Sequence, residues 1–380
     1  MSERVHRPEW VPEDAGEAEG FTTNIMAGVK TAHDGLSNQG STPVEQKTPP
    51  RRRELTVEEY VNGVRSGDRT LLARAITLVE SNAAKHQEMA QEMLTSLLPY
   101  TGGTVRVGIT GVPGAGKSSL IETLGLFLCE RGHRLAVLAV DPSSNVTGGS
   151  ILGDKTRMEL LSRNKNAYIR PSPSGGVLGG VARKSRETML VCEAAGFDVI
   201  FVETVGVGQS EITVRSMVDM FLLLQIAGAG DELQGMKKGV MECSDLIVVN
   251  KADGDNILRA NAARAEYERI LHYLHPSTEG WITKALTCSA LTGEGIETLW
   301  NTISRFHETT LESGVFRRRR ERQSIEWVHA MIEEQFKRDF FNHKSVRMNL
   351  PIVERMVVTG QISPTAAVLK LFKLFEDKDV

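Results

Sequence analysis

The chain has 380 residues, of which 41% are hydrophobic, and a formal net charge of -3. That balance argues against a protein that coats nucleic acid, and no apolar run approaches the length of a membrane span. The opening Met1-Ser2-Glu3-Arg4 is not followed by a signal-peptide core, so the cytoplasm is the expected compartment, with neither nucleic acid nor membrane as partner.

Residues 1–53 are poor in apolar periodicity and rich in Gly, Ser, Pro, Glu and Thr, and are expected to be a flexible N-terminal arm. Residues 54–100 have helical spacing at Leu71, Leu72, Ala75, Ile76 and Val79, with a turn at Gly67-Asp68, and form a helical N-terminal extension. From 101 to 312, strands expected at 105–110, Leu135–Val140, Ala167–Arg170, Asp198–Glu203, Met220–Ile226, Leu246–Asn250 and Ala285–Ser289 alternate with helices. Such alternation predicts an α/β fold with a mainly parallel sheet covered on both faces. Its ligands sit beyond the carboxyl ends of the strands. Residues 313–380 read as a helical C-terminal arm, with segments at Glu326–Phe341, Pro351–Thr359 and Pro364–Glu376.

The four cysteines, Cys129, Cys192, Cys243 and Cys288, are far apart in apolar settings and are read as buried free thiols. His272 and His275 lack an obvious third metal ligand and are assigned to a solvated helix face. The arginine runs 51–53 and 317–320 are read as solvated boundary segments.

The chemistry is concentrated in Gly111-Val112-Pro113-Gly114-Ala115-Gly116-Lys117-Ser118-Ser119, which follows a strand and opens a helix. This is the phosphate-loop pattern G-x-x-x-x-G-K-[ST] in its required context. Small residues let backbone N–H groups close around a β-phosphate, Lys117 reaches the β/γ oxygens, and the Ser118 hydroxyl is a Mg²⁺ ligand. A nucleoside triphosphate is the expected ligand. Asn250-Lys251-Ala252-Asp253 ends another strand, where the Asp253 carboxylate can accept N1–H and N2–H of guanine together, a pair that adenine does not offer. GTP and GDP are therefore the expected nucleotides, with Ser289, the Ala290 backbone N–H and Leu291 supporting the base from the other side.

The strand ending at Glu203 runs into Thr204-Val205-Gly206-Val207-Gly208-Gln209-Ser210-Glu211. GTPases usually carry aspartate where Glu203 stands, with a glycine three residues on to approach the γ-phosphate, here Gly206. Mg²⁺ demands hard oxygen ligands. Ser118, Asp141, Asp154 and Glu203 are the candidate set. Gln209 is a candidate for orienting water, and Lys237 lies in a glycine-rich loop, Ala227–Gly239, that leaves the same sheet edge.

With these segments in view, the sequence resembles the MeaB-like GTPases, a family that includes ArgK and MMAA and accompanies methylmalonyl-CoA mutase and related cobalamin-dependent acyl-CoA mutases. The carrying segments are GVPGAGKSSL, AVDPSSNVTGGSILGDKTRM, RPSPSGGVLGGVARKSRE, VETVGVGQSE, AGAGDELQGMKKG and NKADGDN, within a match from roughly Thr56 to about residue 370. The resemblance implies a P-loop NTPase domain of the SIMIBI class, homodimerisation through the C-terminal arm, and GTP hydrolysis that protects a mutase and gates its cofactor loading. It places switch I acids on Asp141 and Asp154, switch II on Glu203–Glu211, a partner-facing switch III on Gly228–Lys238, and the base site on Asp253 and Ser289–Leu291. The N-terminal fifty residues fall outside it. Two alternatives stay open from sequence: a nucleotide-dependent kinase linked to basic amino-acid transport, for which no acceptor domain is found, and a metallochaperone GTPase, whose usual Cys/His clusters are missing.

Overall fold

The strands are nearly continuous apolar runs because both of their faces are covered. In the computed structural model, which describes residues 53–140, 158–171, 178–204, 210–228 and 239–376, they are β1 (Val105–Gly111), β2 (Leu135–Val140), β3 (Ala167–Pro171), β4 (Val199–Thr204), β5 (Met220–Ile226), β6 (Leu246–Asn250) and β7 (Lys284–Thr287). They form one parallel sheet in the order β3-β2-β4-β1-β5-β6-β7. All seven expected strands are present, with ends moved by one or two residues. The chain runs outward from β1 to β2 and β3, returns through β4, and continues on the other side from β5. The crevice at the carboxyl end of β1 is thus where the sheet order reverses, the favoured ligand position of an open α/β sheet.

The helices, in chain order, are α1 (Val57–Arg65), α2 (Arg69–Glu80), α3 (Ala84–Leu97), α4 (Lys117–Glu130), α5 (Glu159–Arg163), α6 (Leu178–Ala194), α7 (Ser210–Arg215), α8 (Ile257–Leu271), α9 (Ile296–Glu312), α10 (Val315–Asn342), α11 (Lys344–Val358) and α12 (Pro364–Glu376). Thr56 and Glu59 close a capping box on α1, and Asp68 caps α2 by accepting from Thr70 N and Leu71 N. The strands alternate as a two-faced sheet requires. On β4, Ile200 and Val202 pack with Val64, Leu72, Ile76, Met93 and Leu97 of α1–α3, while Phe201 packs with Leu120, Leu124, Ile303 and Phe306 of α4 and α9. The N-terminal extension is therefore part of the core on one face of the sheet.

Leu55–Val380 form one compact unit; of the other unit, Met1–Glu54, only the last two residues lie among those described. Four readings are corrected. In the run 317–320, Arg317 and Arg318 are exposed as expected, but Arg319 and Arg320 are largely buried. Arg320 holds Asp219 in a fork, Nε to Oδ1 at 2.8 Å and Nη2 to Oδ2 at 2.7 Å, and Arg319 donates to the Asp219 carbonyl and the Thr278 hydroxyl. These contacts bolt α10 to the sheet, so the helix starts at Val315 rather than near Glu326. Pro351 lies inside α11 instead of opening a helix. An interior proline costs about 3 kcal/mol, and the burial of Val346 and Val353 against Phe340 and Leu371 offsets it. Cys129, Cys192 and Cys288 are buried free thiols as read, whereas Cys243 is only half-buried.

Candidate nucleotide site

β1 delivers its chain into the phosphate loop at the point of reversal. Gly111 passes so close to β5 that a Cβ there would sit 2.3 Å from the Leu224 carbonyl oxygen. Gly116 has φ +86°, and a Cβ on it would lie 2.7 Å from Asn250 Nδ2, so the position demands glycine twice over. Gly116 is also the N-cap of α4 and supplies no side-chain cap. The first-turn N–H groups of α4 thus have no side-chain cap from Gly116, and a helix start of this kind attracts anions through its dipole. Lys117 Nζ donates to the Gly111 carbonyl at 2.9 Å and the Val112 carbonyl at 3.4 Å, which sets the ammonium across the loop.

Ser118 and Glu203 meet although 85 residues separate them: Ser118 Oγ donates to Glu203 Oε1 at 3.0 Å. α4 brings the serine and the end of β4 brings the glutamate, which is buried. A hydroxyl and a carboxylate side by side are the hard oxygen donors that Mg²⁺ takes. Asp141, Asp154, Gly206, Gln209 and Lys237 lie outside the described residues.

The base side is built from β6 and β7. Lys251 has φ +60°, the only described non-glycine residue with a positive φ, and this sharp turn carries the chain from Asn250 to Asp253. Asn250 ties three loops together: its Nδ2 donates to the Ala115 carbonyl at 2.8 Å, and its Oδ1 accepts from Ala290 N at 3.1 Å and from the Cys288 thiol at 3.6 Å. Burial pushes the Cys288 thiol up to about 12, so it stays a donor. Ser289 Oγ donates to Asp253 Oδ2 at 2.6 Å and accepts from Thr292 N at 3.1 Å, which fixes the carboxylate. The Ala290 N–H is thus directed at Asn250, and Leu291 is exposed.

Two contributions were not read from the sequence. Thr123 Oγ1, on α4, donates to the Ala290 carbonyl at 2.7 Å and joins the phosphate helix to the base loop. Gly295 lets its chain pass Thr287, since a Cβ would lie 2.5 Å from that carbonyl oxygen; the glycines of Thr292-Gly293-Glu294-Gly295 were the available signal. Thr123 had none, being an ordinary threonine in a helix.

The sequence matches the family model described as methylmalonyl-CoA mutase-associated GTPase MeaB over residues 72–345. The chain belongs to that family. The relatives it resembles include GTPase ArgK of Escherichia coli, 52% identical over 74% of this chain and 85% of the relative. They also include the mitochondrial methylmalonic aciduria type A homolog of Mus musculus, 44% identical over 95% of this chain and 87% of the relative. The mouse alignment necessarily reaches into the N-terminal fifty residues, so the likeness extends past the boundary near Thr56 that the motifs led one to expect. A crystal structure described as a LAO/AO transport system kinase superposes with a TM-score of 0.69 at 40% identity, covering 85% of this chain and 99% of that one. Members of this mutase-associated family are P-loop GTPases, and GTP hydrolysis is this chain's activity. Among the described residues no helix is long and apolar enough to cross a membrane, and no three His, Cys, Asp or Glu side chains gather as a metal site.

Proposed function

We propose that the chain is a GTP-hydrolysing chaperone of a cobalamin-dependent acyl-CoA mutase of the methylmalonyl-CoA mutase type, which it protects and whose cofactor loading it gates. The carrying observation is the gathering of an uncapped α4 N-terminus, the Ser118–Glu203 pair and the Asp253–Ser289 pair at one sheet edge, in a family whose printed name includes the mutase. In this reading Gly111–Ser119 cradle the phosphates of GTP or GDP, and Lys117 exchanges loop carbonyls for β/γ oxygens. Asp253, held by Ser289, accepts from guanine. Ser118 and Glu203, with Asp141 and Asp154, would hold Mg²⁺, which would supply positive charge to offset that developing on the transferred phosphoryl group. Gly206 approaches the γ-phosphate, Gln209 orients water, and Lys237 belongs to the partner-facing loop.

The helical arm from 313 onward is the proposed homodimer contact. Ile325, Val328 and Ile332 form an exposed stripe on α10, and Val368 and Leu369 are exposed on α12. A second copy laid on this face would cover apolar surface that one chain leaves in water.

The deciding measurement is single-turnover GTP hydrolysis with and without a purified methylmalonyl-CoA mutase. Stimulation in the wild type, lost in Lys237→Ala while basal turnover stays within a few fold, supports the chaperone reading. No stimulation by the mutase counts against it. The kinase reading keeps one support, the superposable structure described as a transport system kinase. It predicts transfer of label from γ-labelled GTP or ATP to an acceptor instead of release as phosphate.

A further inference from the structure

α7 is held at both ends by contacts that belong to different parts of the molecule. At its start, Glu211 Oε1 accepts from Thr110 Oγ1 at 3.1 Å, and Thr110 Oγ1 in turn accepts from Thr204 Oγ1 at 2.9 Å. Thr110 is the residue before the phosphate loop, and Thr204 is the residue after Glu203. Both threonines are buried. A directed chain of hydroxyls therefore links the two nucleotide-bearing strands to the first turn of α7.

At its other end, Arg186 of α6 grips the chain just past α7. Its Nη2 donates to the Ser216 carbonyl at 2.9 Å and to Ser216 Oγ at 2.8 Å, while Nη1 donates to the Gln323 carbonyl of α10 at 3.1 Å. Gln323 replies with Nε2 to the Val218 carbonyl at 2.9 Å. The Arg186 guanidinium also faces the Trp327 ring of α10, 5.6 Å from its centroid. Val214 of α7, and Val218 just beyond the Ser216 grip, press on β1 at Gly108, where a Cβ would lie 2.9 and 3.0 Å from them. So short and tightly seated a helix transmits displacement as a unit, because close-packed interiors deform little.

The arm joint is not at a hydrogen-bond optimum. Arg186 Nε and Trp327 Nε1 are both buried and find no acceptor among the described residues. Buried donors without partners are uncommon and costly, so this joint is the least satisfied part of the arm's attachment among the described residues.

We infer that α7 is a strut, with Glu211 and Arg186 as positioning residues, which couples the strand ends at Thr110 and Thr204, next to the phosphate loop and Glu203, to the root of the C-terminal arm at Gln323 and Trp327. This rests on the nucleotide-site reading above. A ligand shifts such an element only by contacting its two positions differently. Here the γ-phosphate, present in GTP and gone in GDP, is the difference that the strands on either side of Thr110 would register.

The test is fluorine NMR of full-length protein labelled with fluorotryptophan, the Trp327 resonance being assigned by its loss in Trp327→Phe. Nucleotide affinity is followed separately with a fluorescent GDP. Exchange of GDP for a non-hydrolysable GTP analogue with Mg²⁺ should move the wild-type Trp327 resonance. Arg186→Ala should abolish that movement while GDP affinity stays within about twofold, and Arg186→Lys, which keeps the charge but not the fork, should retain part of it. Glu211→Ala tests the other end on a less buried side chain and should abolish the movement too. A purely structural role for Arg186 would lower the melting temperature without touching the nucleotide dependence. The inference is overturned if the movement persists in Arg186→Ala, or if Trp327 of the wild type is indifferent to the exchange although both nucleotides bind. A chain that binds neither nucleotide overturns the site reading itself.

Discussion

At the amino edge of the sheet, Arg320 grips Asp219 through two bonds of 2.7 and 2.8 Å, and Arg106 grips Glu193 at 2.6 Å, all four side chains being largely buried. At the carboxyl edge of the same sheet, glycines replace side chains, the first turn of α4 has no side-chain cap, and one carboxylate–hydroxyl pair faces the phosphate loop. The first edge satisfies its charges internally and needs nothing from outside. The second leaves the start of α4 without a side-chain cap, at the place where the proposed nucleotide phosphates would sit. Function and anchorage of the arm are thus divided between opposite ends of the same strands.

The comparison breaks most visibly at the amino edge. Asp219→Ala takes from buried Arg320 the carboxylate it holds in a fork, leaving it only Glu193 at 3.7 Å, which Arg106 already engages, and loss of one partner of a buried pair costs about 3–5 kcal/mol. Chemical denaturation should register this as a large fall in midpoint. A drop under about 1 kcal/mol would mean that water reaches the arginines. At the carboxyl edge, Glu203→Ala should cut GTP turnover by roughly 10²-fold, about 2.7 kcal/mol, while GDP affinity and melting temperature change little. Equal loss of GDP binding would make the glutamate a structural residue of the loop.

Asp253→Asn should weaken GTP by about 2–4 kcal/mol, since charge-assisted bonds to guanine are lost or inverted. Xanthosine triphosphate should gain, because its O2 accepts where guanine donates; competition binding measures both. Acid separates the edges in another way. Burial alone would raise the Asp219 carboxyl, but the Arg320 hydrogen bonds and charge, and then Arg106, hold it below its ordinary value. A depressed native pKa contributes stability in full above the unfolded value near about 3.9 and loses it as pH falls through the native one. Wild-type stability should therefore decline below about pH 4, and the Asp219→Asn protein should show a shallower decline. The smallest effect is Thr123→Val, which removes one neutral bond to the base loop and should weaken GTP by about 0.5–1.5 kcal/mol.

The sheet was legible because most strands are short apolar runs separated by helical stretches, and the phosphate and base loops were legible because glycine, lysine and aspartate stand in spacings that few other purposes require. The amino edge was not. Arg319 and Arg320 look like any charge run until the fold brings Thr278 to the first across 41 residues and Asp219 to the second across 101. Their burial depends on partners far away in sequence, which no local pattern records. Pro351 misled for the opposite reason: the local rule that proline opens a helix was sound, but Val346 and Val353 on either side of it had a core to reach. Thr123 is the same lesson on a small scale, since only the approach of Ala290 gives its hydroxyl a task.

Cys288 carries a consequence for how the base loop can be watched. Alkylating reagents attack the thiolate, and a thiol whose burial lifts its pKa to about 12 presents almost none at neutral pH. While Asn250 and the base loop stay closed, the sulfur is chemically silent. Its rate of alkylation therefore counts the moments at which the loop opens, in the manner of hydrogen exchange at a protected amide. Guanine nucleotide, by holding the loop shut, should slow that clock.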